Sequence, residues 1–299
     1  MSKNLKIWAG LLTLYFVWGS TYIAIRFLVQ LMPALFASSM RNLFAGGILV
    51  IFSLIVGSFK IPSWKDFWVN LLAGFLMITL GNAAFMAAAQ YVPAGYSALF
   101  SALSPVVLVF IFWYFGEKPQ LRVIFGAVLG IAGIMILSGL KNRAVHGQEL
   151  NYTWAIILLA IGVLGWNFGT VLIKKYDLSK YSIAQRSGMQ MFLGGLITLV
   201  ASYFSNDFDK IIWQEISTNA YLFFGYLVLA GSVLGFWVFS WLNQNSHPTL
   251  VSTYTYVNPL VTIILGWLFA NELVDFQMII ATGFIITAVV LITGARKNI

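Results

Sequence analysis

The chain has 299 residues, 60% of them hydrophobic and 9% charged, with a mean hydropathy of +0.88; an ordinary soluble domain is about a quarter charged, so water is excluded as the solvent for most of its surface. Its formal net charge of +8 comes from 17 basic and 9 acidic residues scattered between long apolar runs, without the basic cluster interleaved with exposed aromatics that would suit nucleic acid. Cysteine is absent, which excludes disulfides, thiolate metal sites and thiol nucleophiles.

A membrane span needs roughly 20 mostly apolar residues. Ten such runs follow one another: Lys6 to Leu28, Ala34 to Val56, Phe67 to Gln90, Ala94 to Phe115, Leu121 to Leu140, Tyr152 to Ile173, Ser182 to Phe204, Asn219 to Leu242, Thr249 to Ala270 and Phe276 to Gly294. The first has a short basic lead but no small-residue cleavage site, so it is read as a retained helix and not as a signal peptide. Barrel strands are about ten residues long and alternate in polarity, whereas these runs are continuously apolar and twice that length. The predicted fold class is an all-α integral membrane protein.

Orientation follows from the basic flanks. With the N-terminus in the cytoplasm, twelve Lys and Arg residues fall at cytoplasmic ends and four, Arg26, Lys141, Arg143 and Lys210, fall opposite. The positive-inside bias therefore predicts that both termini are cytoplasmic.

The halves resemble each other. A shift of 148 residues lays Trp18 on Trp166, Arg26 on Lys174, Phe44 on Phe192, and Gly46-Gly47 on Gly194-Gly195. A shift of 155 lays Pro93 on Pro248, Ser97 on Ser252 and Glu117 on Glu272, while Pro105 meets Pro259 at 154. Five spans per half is an odd number, so the second half must cross in the opposite sense, as an inverted repeat. The predicted organisation is ten transmembrane helices in two inverted five-helix repeats, residues 1–140 and 152–299, joined by a linker at 141–151.

The residues VWGSTYIAIR at Val17 to Arg26, the pairs Ser104-Pro105 and Asn258-Pro259, and the GEK and NEL that follow those helices resemble, in order and spacing, the EamA family of the drug/metabolite transporter superfamily. The resemblance covers nearly the whole chain. It implies a bacterial inner-membrane exporter of small metabolites such as amino acids, with a central pathway formed by the first four helices of each half and the fifth and tenth at the periphery. It implies no particular substrate.

Candidate pathway residues can be read independently. Ser97, Ser101 and Ser104 recur at i, i+4 and i+7 and so share one helix face; Tyr254, Tyr256 and Asn258 occupy the corresponding stretch of the second copy. Such a stripe faces protein or water in preference to lipid, although small residues also suit tight helix packing. Pro105 and Pro259 each leave a carbonyl one turn back without its helical donor. The first helix adds Trp18, Ser20, Thr21 and Tyr22, and its counterpart adds Trp166, Asn167 and Thr170; the two tryptophans lie mid-span, where interfacial anchoring explains them less well than an aromatic wall. Asn82 and Trp237 are further candidates, and an amide at that depth needs a hydrogen-bond partner.

Arg41 lies within the second span and is read either as a snorkelling or ion-paired residue or as the group that meets a substrate carboxylate. Glu117 and Glu272, just past their helices, are read as lock or gate residues alongside Pro105 and Pro259. The glycine pairs Gly165/Gly169, Gly231/Gly235 and Gly126/Gly130 fit close helix contact, with a dimer seam at the last as the alternative. No Asp or Glu falls mid-span, both histidines lie in loops, and there is no phosphate-binding Gly-Lys-Ser/Thr loop, which favours a uniporter or exchanger over proton- or ATP-driven pumping. The expected partners are a small-molecule substrate and the lipid bilayer, with no nucleic acid, no cofactor and no metal, in a monomer or weak homodimer without enzymatic activity. A lipid or amphiphile translocator of the same fold and a proton-coupled drug exporter are the alternatives.

Overall fold

A computed structural model describes residues 3–114, 120–138, 149–211, 216–246, 251 and 254–294, and among these every regular element is helical. In chain order they are α1 (Lys3–Leu28), α2 (Ala34–Ile55), α3 (Trp64–Ala88), α4 (Ala94–Ser101), α5 (Ser104–Tyr114), α6 (Leu121–Ser138), α7 (Glu149–Lys175), α8 (Ile183–Phe204), α9 (Thr218–Tyr226 continuing through Leu227–Leu234 and Gly235–Asn245), α10 (Tyr254–Phe269) and α11 (Phe276–Gly294). Among the described residues, six helices are long and apolar enough to cross a bilayer: α1, α2, α3, α7, α8 and α9. With its apolar exterior and several spanning helices, the chain is a multi-pass membrane protein. The predicted fourth span is in fact two helices, α4 and α5, and α7 begins at Glu149, inside the stretch read as linker.

Helix starts follow local chemistry. Ser63, Ser182 and Ser217 precede α3, α8 and α9 and accept from the backbone N–H of Asp66, Gln185 and Ala220 respectively. Pro33 and Pro93 stand just before α2 and α4, where a missing N–H costs nothing.

Helices α3 and α9 share a feature that no residue pattern announced. Each carries a π-helical segment in its middle, Phe75–Ala83 and Leu227–Leu234. Wider turns of this kind displace backbone carbonyls from the i→i−4 ladder and concentrate at functional sites. Glycines let partner helices close on these segments: a Cβ on Gly165 of α7 would lie 2.6 Å from Leu76 O, and one on Gly235 would collide with the Trp18 indole. Helices α2 and α8 cross through Gly46, whose Cβ would lie 2.5 Å from Phe192 N. Gly130 packs against Val106 and Ala288 of the same chain.

At one end of the bundle the same device appears twice. Phe204-Ser205-Asn206-Asp207 and Phe269-Ala270-Asn271-Glu272 each end a helix with an asparagine in the left-handed region, φ 54° and 51°, followed by an acid. Asp207 accepts from Phe36 N in the first turn of α2 at 3.3 Å, and Glu272 accepts from Ala94 N at 2.7 Å and Gly95 N at 3.4 Å at the start of α4. Both acids thus cap the N-terminus of a distant helix, where the exposed N–H groups and the helix dipole favour negative charge. At the same end Arg26 donates to Ala89 O and Gln90 O, tying α1 to the end of α3. At the other end Gln185 bonds both backbone groups of Lys60, and Asp66 pairs with Lys180 at 2.7 Å.

Candidate functional site: a central aromatic cavity

A cavity of about 110 Å³ lies at the centre of the bundle between α1, α2, α3, α4, α5, α7, α9 and α10. Ten of the predicted pathway residues line it: Trp18, Thr21, Tyr22, Arg41, Asn82, Ser101, Ser104, Trp166, Tyr254 and Asn258. They lie in helices far apart in sequence, brought together because α1 and α7 pack on the π-helical segments of α9 and α3. The Trp18 indole N–H donates to Gly231 O at 3.0 Å, and Trp166 packs over Gly81. The two indole rings meet edge to face with centroids 6.1 Å apart; Phe236 lies 5.7 Å from Trp166, and Tyr254 4.9 Å from Trp18.

Arg41 is 3% exposed. Its Nε donates to Ser232 Oγ at 2.8 Å, so neighbouring residues of one π-helical segment hold both Trp18 and Arg41. Its Nη1 is buried without a hydrogen-bond partner. The guanidinium is therefore held in the bundle and does not snorkel out along its own helix. Asn82 has the partners its depth requires, accepting from Ser38 at 3.5 Å and Asn42 at 3.4 Å. Asn258, oriented so that its amide nitrogen donates, bonds Tyr15 O at 3.2 Å and Tyr254 O at 3.0 Å.

The other candidates fall elsewhere. Ser20 faces the flank, against Tyr226 Oη at 2.5 Å. Ser97 is buried away from the cavity, its Oγ without a partner, because the helix ends soon after it and the expected i, i+4, i+7 face is not continuous. Asn167 and Thr170 turn back onto their own helix, donating to Val163 O and Trp166 O. Trp237 packs against Phe52, centroids 5.5 Å apart, outside the cavity. Pro259 is buried within α10 and Pro105 lies in the first turn of α5. The side chains of Tyr256 and Pro105, and Glu117 altogether, lie outside the described residues.

Sequence reasoning missed Ile25, Phe85, Val163 and Phe236 among the lining residues, and also Gly81 and Gly162. Apolar residues on an apolar helix carry no signal of which face they occupy. Asp207 was also missed, although the Phe-small-Asn-acid pattern at 204–207 and 269–272 was legible.

Below the cavity, Leu11, Leu14, Phe239, Leu242 and Val251 form a buried apolar cluster between α1, α9 and the start of the α10 region, at the Asp66 end of the bundle. Above it, a second recess of about 430 Å³ opens at the Asp207 end, lined by residues 29–35 with Gln90, Tyr91, Asp207 and Lys210. The central cavity is thus polar and aromatic, with packed side chains on one side and a separate recess, sharing no described lining residue with it, at the Asp207 end.

The sequence pattern of the EamA-like transporter family matches this chain over residues 6–139 and again over residues 153–294. The chain belongs to that family. The uncharacterized inner membrane transporter YedA of Escherichia coli strain K12 is 32% identical over 290 residues, covering 97% of this chain and 91% of its own. The uncharacterized transporter YvbV of Bacillus subtilis is 27% identical, covering 95% and 90%, and Protein PecM of Dickeya dadantii is 28% identical, covering 92% and 88%. One solved crystal structure superposes with a TM-score of 0.67 at 15% identity, over 97% of this chain and 96% of its own, which establishes a shared fold and nothing finer. This EamA-like chain is accordingly a membrane transporter.

Proposed function

We propose that the protein exports small metabolites, amino acids or related compounds, across the bacterial inner membrane by alternating access between two inverted five-helix repeats. In this reading both termini are cytoplasmic, α4 and α5 together form one of ten spans, and the plug around Leu11 and Phe239 is the closed inner gate. The observation that carries it is the central cavity itself: polar and aromatic side chains from both halves converge inside an otherwise apolar bundle. Polar groups at that depth are expensive unless they serve a pathway. Exchange of conformations between the halves would move the plug from one side of the cavity to the other.

Among the described residues, the lining offers no carboxylate or imidazole to carry a proton, which supports uniport or exchange. Counterflow of a broad metabolite panel into proteoliposomes tests the reading. At least one compound should show saturable exchange, weakened by Ser101→Ala; failure of the whole panel would count against transport of this class. A severalfold rise in uptake on imposing a pH gradient alone would instead establish proton coupling.

The amphiphile alternative rests on one feature, an apolar groove of about 580 Å³ on the flank between α1, α9 and α10. Among the described residues none lines both that groove and the central cavity, which speaks against the groove as a lateral entrance.

A further inference from the structure

We infer that the central cavity is selective for organic monoanions, specifically a carboxylate on a single aromatic or comparably flat apolar body. This rests on the transporter reading above and specifies the charge of the substrate.

The observations are of charge, shape and unmet bonding. Among the described residues, Arg41 is the one charged residue lining the cavity, and no acidic side chain accompanies it there. A buried cation without a counter-anion is costly, and a buried polar nitrogen without an acceptor adds to that cost. In the protein alone Nη1 has no acceptor, while Nε is anchored by Ser232. A guanidinium held at Nε and unmet at Nη1 favours an anion at its free edge, and a carboxylate is an acceptor well suited to a guanidinium.

The rest of the wall specifies the body. Six lining residues carry rings: Trp18, Tyr22, Phe85, Trp166, Phe236 and Tyr254. An apolar cavity of roughly 150 Å³ admits benzene, so a cavity of about 110 Å³ must widen, by movement of its side chains, to take one ring with its carboxylate. An amine finds no carboxylate in this lining and would stand in the field of Arg41. A zwitterion would satisfy the arginine but leave its ammonium with only ring faces and neutral dipoles.

Charge also supplies the driving force. Moving one elementary charge through a potential of 100 mV is worth about 2.3 kcal/mol, or roughly a fifty-fold concentration ratio. A net monoanion is expelled by an inside-negative potential, so a uniporter without any proton-carrying residue could still drive export. This consequence does not depend on which way the chain is inserted.

The test needs only the intact protein and four molecules of nearly equal shape: 3-phenylpropanoate, 3-phenylpropanol, 3-phenylpropylamine and phenylalanine. Binding is read by quenching of tryptophan fluorescence, and transport by counterflow in proteoliposomes. The anion should exceed the alcohol and the amine by about tenfold or more, the scale of a charge-assisted hydrogen bond, and should exceed phenylalanine by a smaller factor. A valinomycin-imposed inside-negative potential should accelerate its efflux and slow its uptake. Arg41→Gln should bring the anion-to-alcohol ratio close to one, and Arg41→Lys should restore part of it. Equal or better binding of the alcohol, amine or zwitterion by the wild-type protein overturns the inference, as does an anion preference that survives in folded Arg41→Gln. Transport of another metabolite with no response to 3-phenylpropanoate also overturns it and leaves the transporter reading standing, whereas absence of any transport removes the reading on which it rests.

Discussion

The two stretches that carry the repeated prolines, residues 94–114 and 254–269, began as near copies and ended as different objects. In the first the helix stops: Leu103 N–H turns back onto Phe100 O at 3.1 Å, and α5 resumes with Val107 N–H on Leu103 O. In the second, α10 runs through Pro259 without a break. The residue before each proline accounts for much of the difference. Asn258 is long enough to donate to Tyr254 O behind it and Tyr15 O on α1, and Thr262 bridges Asn258 O and Gly19 O, so the helix is clamped on both sides of the proline. Ser104 holds the equivalent place and its side chain is too short to span the same gap. Removing a helical donor therefore does not by itself decide whether a helix breaks; how firmly the turns on either side of the proline are tied to each other and to a neighbouring helix matters as well.

The clamp is the most direct way to break this comparison. Asn258→Ala should strip donors from two buried carbonyls and cost about 1–3 kcal/mol, read as a lower melting temperature in detergent, with faster amide exchange at 254–269. Ser104→Ala, its counterpart, should stay within about 0.5 kcal/mol, the usual range away from such networks. Equal losses for the two would show that the asymmetry does not lie in these residues.

The acids that follow the helices sharpen it further. Glu272→Ala should cost about 1–2 kcal/mol, the range for losing a helix N-terminal cap, with loosening at Ala94 and Gly95, whereas Glu272→Gln should retain part of the bond. Next in size, Trp18→Phe should cost about 1 kcal/mol through its lost bond to Gly231 O and should reduce the quenching seen on ligand binding.

The smallest effect is in pH. Burial raises the Glu272 carboxyl above its ordinary value, outweighing the Ala94 and Gly95 N–H groups and the nearby Arg26, all of which favour the charged form. A raised acid contributes most below its unfolded value, about 4.3, and loses that contribution as pH rises through the folded value. The melting temperature of the wild type relative to Glu272→Gln should therefore fall as pH rises from about 4 towards neutrality. A flat difference would show that the carboxylate is charged at no cost.

Much of the fold was legible because the bilayer imposes strong constraints on a sequence. Continuous apolar runs indicated spanning helices, and Trp18, Thr21, Tyr22, Asn82 and Trp166 stood out because polar and bulky amphipathic residues are conspicuous at that depth. Ser20, Asn167 and Thr170 carried the same signal and turned elsewhere, since a hydroxyl or amide can satisfy itself on its own helix. Asn258 lines the cavity but is engaged with backbone, while Arg41, Asn82, Ser101 and Ser104 bring polar side chains of the first half to it.

The sequence by itself determined the solvent, the helical class, the internal likeness and the family resemblance, because each of these is written in residue type and spacing along one chain. Only the tertiary structure decided that Pro105 begins a new helix while Pro259 does not, that π-helical segments in α3 and α9 seat the two tryptophans, and that Arg41 keeps an unmet nitrogen beside six rings. These depend on which carbonyls and rings from distant helices arrive at the same place, and a pattern along one chain does not encode that arrival.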